Sequence, residues 1–442
     1  MCKKLFLCFF ALSLSACTTK VNMQLPEHLA NQGVLMAEIY GIKGENVQID
    51  GGTNSTSLFI NDGHLVLPLS PGKHILNGIS FTRAKGASTV TTTLHLDRSF
   101  DIAPGRITNL GLVLFASDQK DQRQFHAYWL DNTPEARRYL RARYPSISAS
   151  LRDNDFLLAP GDYVPVSEIP KIRRLIGSLI ASGNLAGTIE DSDSNSVVGG
   201  PGGLIGQYVI REEKIVDLKI FDTATLANVV DVSRLGDRHL IAMADGSLFL
   251  LEQGRVTSVG APPNAGVPGK VKLLPGGMVV VDQRLAVYWS IDDGKHWQNY
   301  RAAQLTNSIL MNDIVITGNK SGLAVYTKNS SQTKKILYSD ADNFTFRQIP
   351  LPPETAFIRN IACRESGIFI EPEDARVSRE EVIYFKAKGT DVWIPRTMPG
   401  TYCEISYTDD TGNLLKASCR MSFSRTMHSY MSKDGGEHWQ GL

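Results

Sequence analysis

The chain has 442 residues, with 46 basic against 45 acidic side chains. That length suffices for two or three domains, and near-neutrality argues against a general nucleic-acid or anionic-lipid binder, which needs a basic surface. Its 38 glycines and 20 prolines are dispersed rather than clustered, which suits many short strands joined by turns.

The N-terminus has three parts. Met1-Cys2-Lys3-Lys4 is cationic, Leu5 to Leu14 is an uncharged apolar run, and Leu14-Ser15-Ala16-Cys17 closes it with small residues before a cysteine. A run of about ten residues is too short to span ~30 Å of hydrocarbon as a helix, so 1–16 reads as a cleaved signal peptide. The tetrad resembles the lipobox of bacterial lipoproteins. That resemblance implies cleavage before Cys17, a lipid on Cys17, and a membrane as partner through that anchor. The other reading is an ordinary secretory signal with an incidental cysteine. Thr18 stands where an aspartate would resemble an inner-membrane retention signal, so outer-membrane attachment is expected, on the periplasmic face or the cell surface. Residues 17–32 read as a tether.

From Gly33 to Asp131 short apolar–polar alternations recur, among them Val34–Tyr40, His64–Leu69, His74–Thr82, Thr89–Leu96 and Arg106–Phe115, broken at Asp62-Gly63 and Pro71-Gly72. They predict a β-sandwich over 33–131, loosely resembling immunoglobulin-like or PEGA-like periplasmic modules. A helical connector and linker is expected over 132–204. Asn132-Thr133-Pro134-Glu135 supplies a cap, a first-turn proline and an early acid for a helix ending near Pro145. A second helix runs from Ser167 through Ile180, with Ile172, Leu175, Ile176, Leu179 and Ile180 on one face as packing residues. Asp191–Gly203 reads as a loop or linker; its glycines lack the Lys-Ser/Thr of a phosphate loop.

Late in the chain one pattern repeats. Ser290-Ile291-Asp292-Asp293-Gly294-Lys295-His296-Trp297 matches Ser432-Lys433-Asp434-Gly435-Gly436-Glu437-His438-Trp439, both as Ser-x-Asp-x-Gly-x-x-Trp. Degenerate copies run from Ser339 to Phe346 and from Lys386 to Trp393. Positions 290, 339, 386 and 432 lie 49, 47 and 46 residues apart, the length of one propeller blade. Leu248–Gly254 and Leu218–Thr223 are read as comparable hairpins upstream. Aspartate can accept turn amides, glycine can take positive φ, and the tryptophan is expected to pack into the blade. The motif resembles the Asp-box (BNR) repeat of sialidases, sortilin-type receptors and photosystem assembly factors. It implies a β-propeller of about six blades over 205–442, with a structural role for Ser290, Asp292, Gly294, Trp297, Ser432, Asp434, Gly436 and Trp439. A strand from earlier in the chain is expected to complete the last blade and close the ring. The whole chain is thus expected to be mainly β.

Cys403 and Cys419 lie symmetrically about Asp409-Asp410-Thr411-Gly412, so a hairpin there would set them opposite each other. A disulfide and a pair of buried free thiols are the two readings; Cys363 is expected to be buried. No Cys-x-x-Cys or His-Glu-x-x-His is present, so no metal and no cofactor is expected. A sialidase should carry a Phe-Arg-Ile-Pro-like strand and an arginine triad. The nearest string, Phe346–Pro350, carries an insertion and falls where an outer strand belongs. No catalytic residue is assigned. Arg359, Arg364, Arg376, Arg420 and Arg425 gather in the last two blades, either as an anionic-ligand or partner site at one mouth or as solvated arginines paired with nearby glutamates. The function expected is a non-catalytic binding platform for an envelope protein or surface glycan, with a divergent sialidase-like hydrolase or polysaccharide binder as the alternative.

Overall fold

The computed structural model describes residues 29, 31–40, 45–49, 58–59, 63–85, 88–117, 125–181, 188–190, 196–211, 214–301, 314–319, 322–327, 335–340, 344–353, 355, 357–373, 381–400, 402–420 and 426–442. The fold is mainly β. Cys17 and the signal and tether regions fall outside the described residues, apart from Leu29, Asn31 and Gln32. Among the described residues no helix is long and apolar enough to cross a membrane.

Two sheets come first. One joins β1 (Gly33–Tyr40), β4 (His64–Leu69), β7 (Ile107–Ser117), β8 (Phe125–Leu130) and β9 (Phe156–Leu158); the other joins β2 (Glu45–Ile49), β3 (Leu58–Phe59), β5 (Gly72–Lys85) and β6 (Ser88–Ile102). Leu35, Ile39 and Val113 of the first meet Leu76, Ile79 and Phe100 of the second in one core, a sandwich of two sheets. The central pair β1–β7 is parallel.

Helix α1 (Thr133–Arg143) begins where the capping residues predict, but Asn132 does not cap it. Its amide donates to Glu38 Oε2 at 2.7 Å, and Asp131 accepts the Thr133 amide instead. A further short helix, α2 (Pro145–Ser150), follows. Helix α3 (Ile169–Ala181) starts after one 3₁₀ turn. Its stripe Ile172, Ile176, Leu179 and Ile180 is buried between Leu112, Leu114 and Leu130 of the sandwich and Val198, Leu204 and Tyr208 beyond. Burying each such side chain stabilises by about 2 kcal/mol.

Six four-stranded antiparallel meanders then follow in unbroken chain order. Blade 1 is β10 (Thr188–Glu190), β11 (Ser196–Gly200), β12 (Leu204–Arg211) and β13 (Lys214–Phe221). Blade 2 is β14 (Val229–Leu235), β15 (Arg238–Met243), β16 (Leu248–Glu252) and β17 (Arg255–Val259). Blade 3 is β18 (Pro268–Leu274), β19 (Gly277–Asp282), β20 (Ala286–Ser290) and β21 (Gln298–Arg301). Blade 4 is β22 (Ile314–Asn319), β23 (Gly322–Thr327), β24 (Lys335–Ser339) and β25 (Phe346–Pro350). Blade 5 is β26 (Ile358–Arg364), β27 (Gly367–Pro372), β28 (Val382–Ala387) and β29 (Ile394–Thr397). Blade 6 is β30 (Cys403–Thr408), β31 (Leu415–Arg420), β32 (Met427–Ser432) and β33 (Gln440–Gly441). The first sheet starts at Thr188, so two of its strands lie inside the stretch read as connector and linker. Leu218–Thr223 is not an Asp-box-like hairpin: Leu218 to Phe221 belong to the outer strand of blade 1.

Neighbouring blades pack face to face, and in blades 1 to 5 this buries the second strand on both sides. Met278–Val281 and Leu323–Tyr326 are buried without interruption because each sheet is covered twice. The ends of the stack break the pattern. Blade 1 packs on blade 2 with one face and on α3 and the sandwich with the other. Blade 6 packs on blade 5 through Leu415, Ala417 and Cys419, while the alternating Lys416 and Arg420 face solvent. An outward polar face is what a terminal repeat needs. The expected closure by an earlier strand is therefore corrected: the two-residue β33 completes blade 6, and no described strand from elsewhere joins that sheet.

Candidate functional site

Both complete Asp-boxes are hairpin turns built by their own side chains. Asp292 Oδ1 accepts the His296 amide at 2.9 Å and the Ser290 hydroxyl at 2.8 Å, and Ser290 Oγ accepts the Gly294 amide at 2.8 Å. The second copy repeats these contacts at Asp434, Ser432, Gly436 and His438. His296 Nδ1 lies 2.6 Å from Asp292 Oδ2, and His438 Nδ1 lies 2.7 Å from Asp434 Oδ2. Donors from the amide, imidazole and hydroxyl hold both aspartates well below the usual carboxylate range, the His amide first among them. Gly294 and Gly436 sit at φ +83° and +94°, where a side chain would be strained.

The tryptophans reach further than the sequence suggests. Trp297 donates its indole N–H to Gly260 O at 2.8 Å and Trp439 donates to Thr397 O at 3.1 Å, each acceptor just beyond or at the end of the outer strand of the preceding blade. Trp393 of the degenerate copy does the same to Pro350 O. Phe346, whose ring has no N–H, is buried against Trp289 of the preceding blade. In the other degenerate position, buried Lys386 replaces the serine and donates to Thr390 O while facing Asp391 at 3.4 Å.

Of the five arginines three are described, and Arg359 and Arg364 lie at opposite ends of one strand. Arg359, on the innermost strand of blade 5, donates to Glu371 Oε1 and to Cys403 O, both at 3.1 Å, tying blade 5 to blade 6. Arg364, five positions along at the other end of that strand, donates to Cys363 O at 2.7 Å and to the Thr408 hydroxyl. Arg420 lies exposed at the end of β31 next to Cys419, the same end as Arg359. Arg376 and Arg425 lie outside the described residues. Burial pushes the Glu371 carboxyl up to about 7 against the pull of Arg359, and Glu404 adds to the rise. Cys403 and Cys419 are directly opposite in register and joined by a disulfide, while Cys363 is a buried free thiol pushed up to about 12 by burial.

Among the described residues, Asp434, Glu437 and His438 have ligand-type atoms within 4.8 Å of one another. Their groups are already engaged in the Asp-box turn and with Arg396, 3.1 Å from Glu437.

No family model matches the chain, and no curated protein matches it. Among solved structures it is similar to YCF48 bound to D1 peptide at 14% identity, over 58% of this chain and 81% of that one, with a TM-score of 0.38. YCF48 from Cyanidioschyzon merolae follows at 15% identity, over 57% and 83%, with a TM-score of 0.37. PorZ of Porphyromonas gingivalis, described as an essential bacterial surface component of the type-IX secretion system, matches at 12% identity with a TM-score of 0.33. That alignment covers 94% of this chain and 46% of PorZ.

The densest polar constellation escaped sequence reasoning. It lies where α1 and α3 meet blades 1 and 2. Arg138 Nε donates to Asp245 Oδ2 at 2.7 Å and its NH2 to Glu135 Oε1 at 3.1 Å; Glu135 also accepts the Leu226 amide and the Thr225 hydroxyl. Buried Arg173 donates to Gly202 O, Asp222 Oδ1, Thr223 O and Thr225 O, all within 3.1 Å. The glycines read as linker form the gripped hairpin: Gly203 has φ +69°, and a Cβ there would meet Thr225 O at 1.7 Å. Arg284 of blade 3 closes the contact on the last carbonyl of α1, Arg143 O, at 3.0 Å. These groups span about 150 positions of chain, and only spacing-blind tertiary packing assembles them. Chemically they are saturated acceptors and donors, suited to holding two modules in one orientation.

Proposed function

We propose that this protein is an envelope lipoprotein, anchored by a lipid on Cys17, whose blades form a non-catalytic platform for an envelope protein partner. Outer-membrane attachment and an immunoglobulin-like role of the sandwich as spacer belong to the same reading. The observation that carries it is the Glu135–Arg138–Asp245 and Arg173 network, which holds helices α1 and α3 in one orientation on blades 1 and 2. Elements held in one orientation present a fixed surface at low ordering cost on binding. The hydrolase alternative requires acids and arginines converging on a substrate; Arg359 and Arg364 are instead spent on the joint between blades 5 and 6.

The test is in-cell crosslinking of the tagged protein followed by affinity purification and mass spectrometry, alongside Cys17→Ser. A discrete stoichiometric envelope protein, with membrane attachment lost in C17S, is expected. Recovery of the protein alone from crosslinked cells, or C17S remaining membrane-bound, would overturn the corresponding half.

A further inference from the structure

We propose that the joint between blades 5 and 6 is a proton-sensitive hinge, in which ionisation of the Glu371 carboxyl loosens blade 6 from blade 5. Among the described residues blade 6 packs on the stack through blade 5, and Lys416 and Arg420 on its other face are exposed, so this joint sets its position. Glu371 sits at the end of β27, inside the joint and 7% exposed. The charged and titratable groups that face it come from three blades. Arg359 of its own blade meets Oε1 at 3.1 Å, Glu404 of blade 6 repels its charge, and the Tyr326 phenol of blade 4 is close enough to feel it. Oε2 is buried without a well-formed hydrogen bond among the described residues, and the Ile405 amide offsets this only in part. A crevice of about 20 Å³, lined by Asn360, Phe369, Glu371, Ile405 and Leu415, marks the same place as incompletely packed.

A carboxylate with one oxygen starved of donors is costly to bury, whereas the neutral acid is not. Burial raises Glu371 to about 7 from an ordinary 4.5, so the closed joint binds the proton more tightly than an opened one in which the group meets water. The proton therefore favours closure and ionisation favours opening. The gap, with the pull of Arg359 already in it, sets a ceiling of about 300-fold on the opening equilibrium, and roughly tenfold is expected because opening hydrates the carboxyl only in part.

Hydrogen exchange of the full chain, read at about pH 6 and about pH 8.5 and corrected for intrinsic rates, tests this. Residues 403–420 should lose protection roughly tenfold relative to 229–290 as pH rises. Glu371→Gln should abolish that dependence, and Glu404→Gln, at an exposed position, should move its midpoint to lower pH by removing a repelling charge. An equal pH response in the two segments of the wild type overturns the hinge. So does E371Q that keeps the response; if E371Q fails to fold, an unmoved midpoint in E404Q does the same.

Discussion

Trp439 hands its indole N–H to the backbone carbonyl of Thr397, 3.1 Å away, across the boundary between two blades. The same bond runs from Trp297 to Gly260 and from Trp393 to Pro350, so the motif aromatic is a tie to the blade before as well as a packing group. Trp439→Phe keeps a ring and removes the donor. It should cost about 0.5–1 kcal/mol, read as a lower urea midpoint with unchanged slope, because the acceptor stays within reach of water. Trp297→Phe should add to it independently, the two sites being three blades apart. A phenylalanine variant as stable as the wild type would reduce the bond to a bystander.

The Asp-box aspartates predict an acid response. Both are held below their ordinary range, so the stability they contribute is present above about pH 4 and is lost as pH falls through the folded value. Asp292→Asn with Asp434→Asn should therefore lower the urea midpoint at neutral pH, and the gap to wild type should shrink near pH 3, where these carboxylates take up protons in the unfolded chain but not yet in the folded one. A gap that is constant with pH would mean the turns depend on shape rather than on charge.

The clamp between α1 and blade 2 predicts coupling. Asp245 is almost fully buried and Arg138 is about 40% exposed. Removing the carboxylate in Asp245→Ala strands the guanidinium and the Ser247 amide and should cost about 2 kcal/mol. Arg138→Ala should cost less alone, and the double variant should fall short of the sum by about 1 kcal/mol. Strict additivity in chemical denaturation would show that the contact orders nothing.

What the residues revealed beforehand was set by how local the cause is. Ser290 to His296 carries its own hydrogen-bond partners within seven positions, so turn, strand boundary and blade phase could be read directly. The α3 stripe was legible for the same reason. Asp191–Gly203 was not: its glycines suit a linker until Thr225 and Arg173 close on Gly202 and Gly203. The closing strand of blade 6 was misplaced because two residues, Gln440 and Gly441, give no periodicity to recognise. Arg359 and Arg364 looked like one cluster because they are close in sequence; six extended residues put them at opposite ends of a strand.

The disulfide gives the last prediction. Cys403 and Cys419 are 16 residues apart and sit on adjacent strands of blade 6, whose third strand is capped by only two residues of β33. Closing a loop of that length removes unfolded-chain entropy amounting to about 3 kcal/mol. Because blade 6 packs through one face, the loss on Cys403→Ala with Cys419→Ala should appear first as local opening. Exchange protection should fall across 403–432 while 229–290 keeps its rates, and dithiothreitol should reproduce this in the wild type. A uniform loss across all blades would instead mean that the stack unfolds as one cooperative unit and that blade 6 has no separate stability.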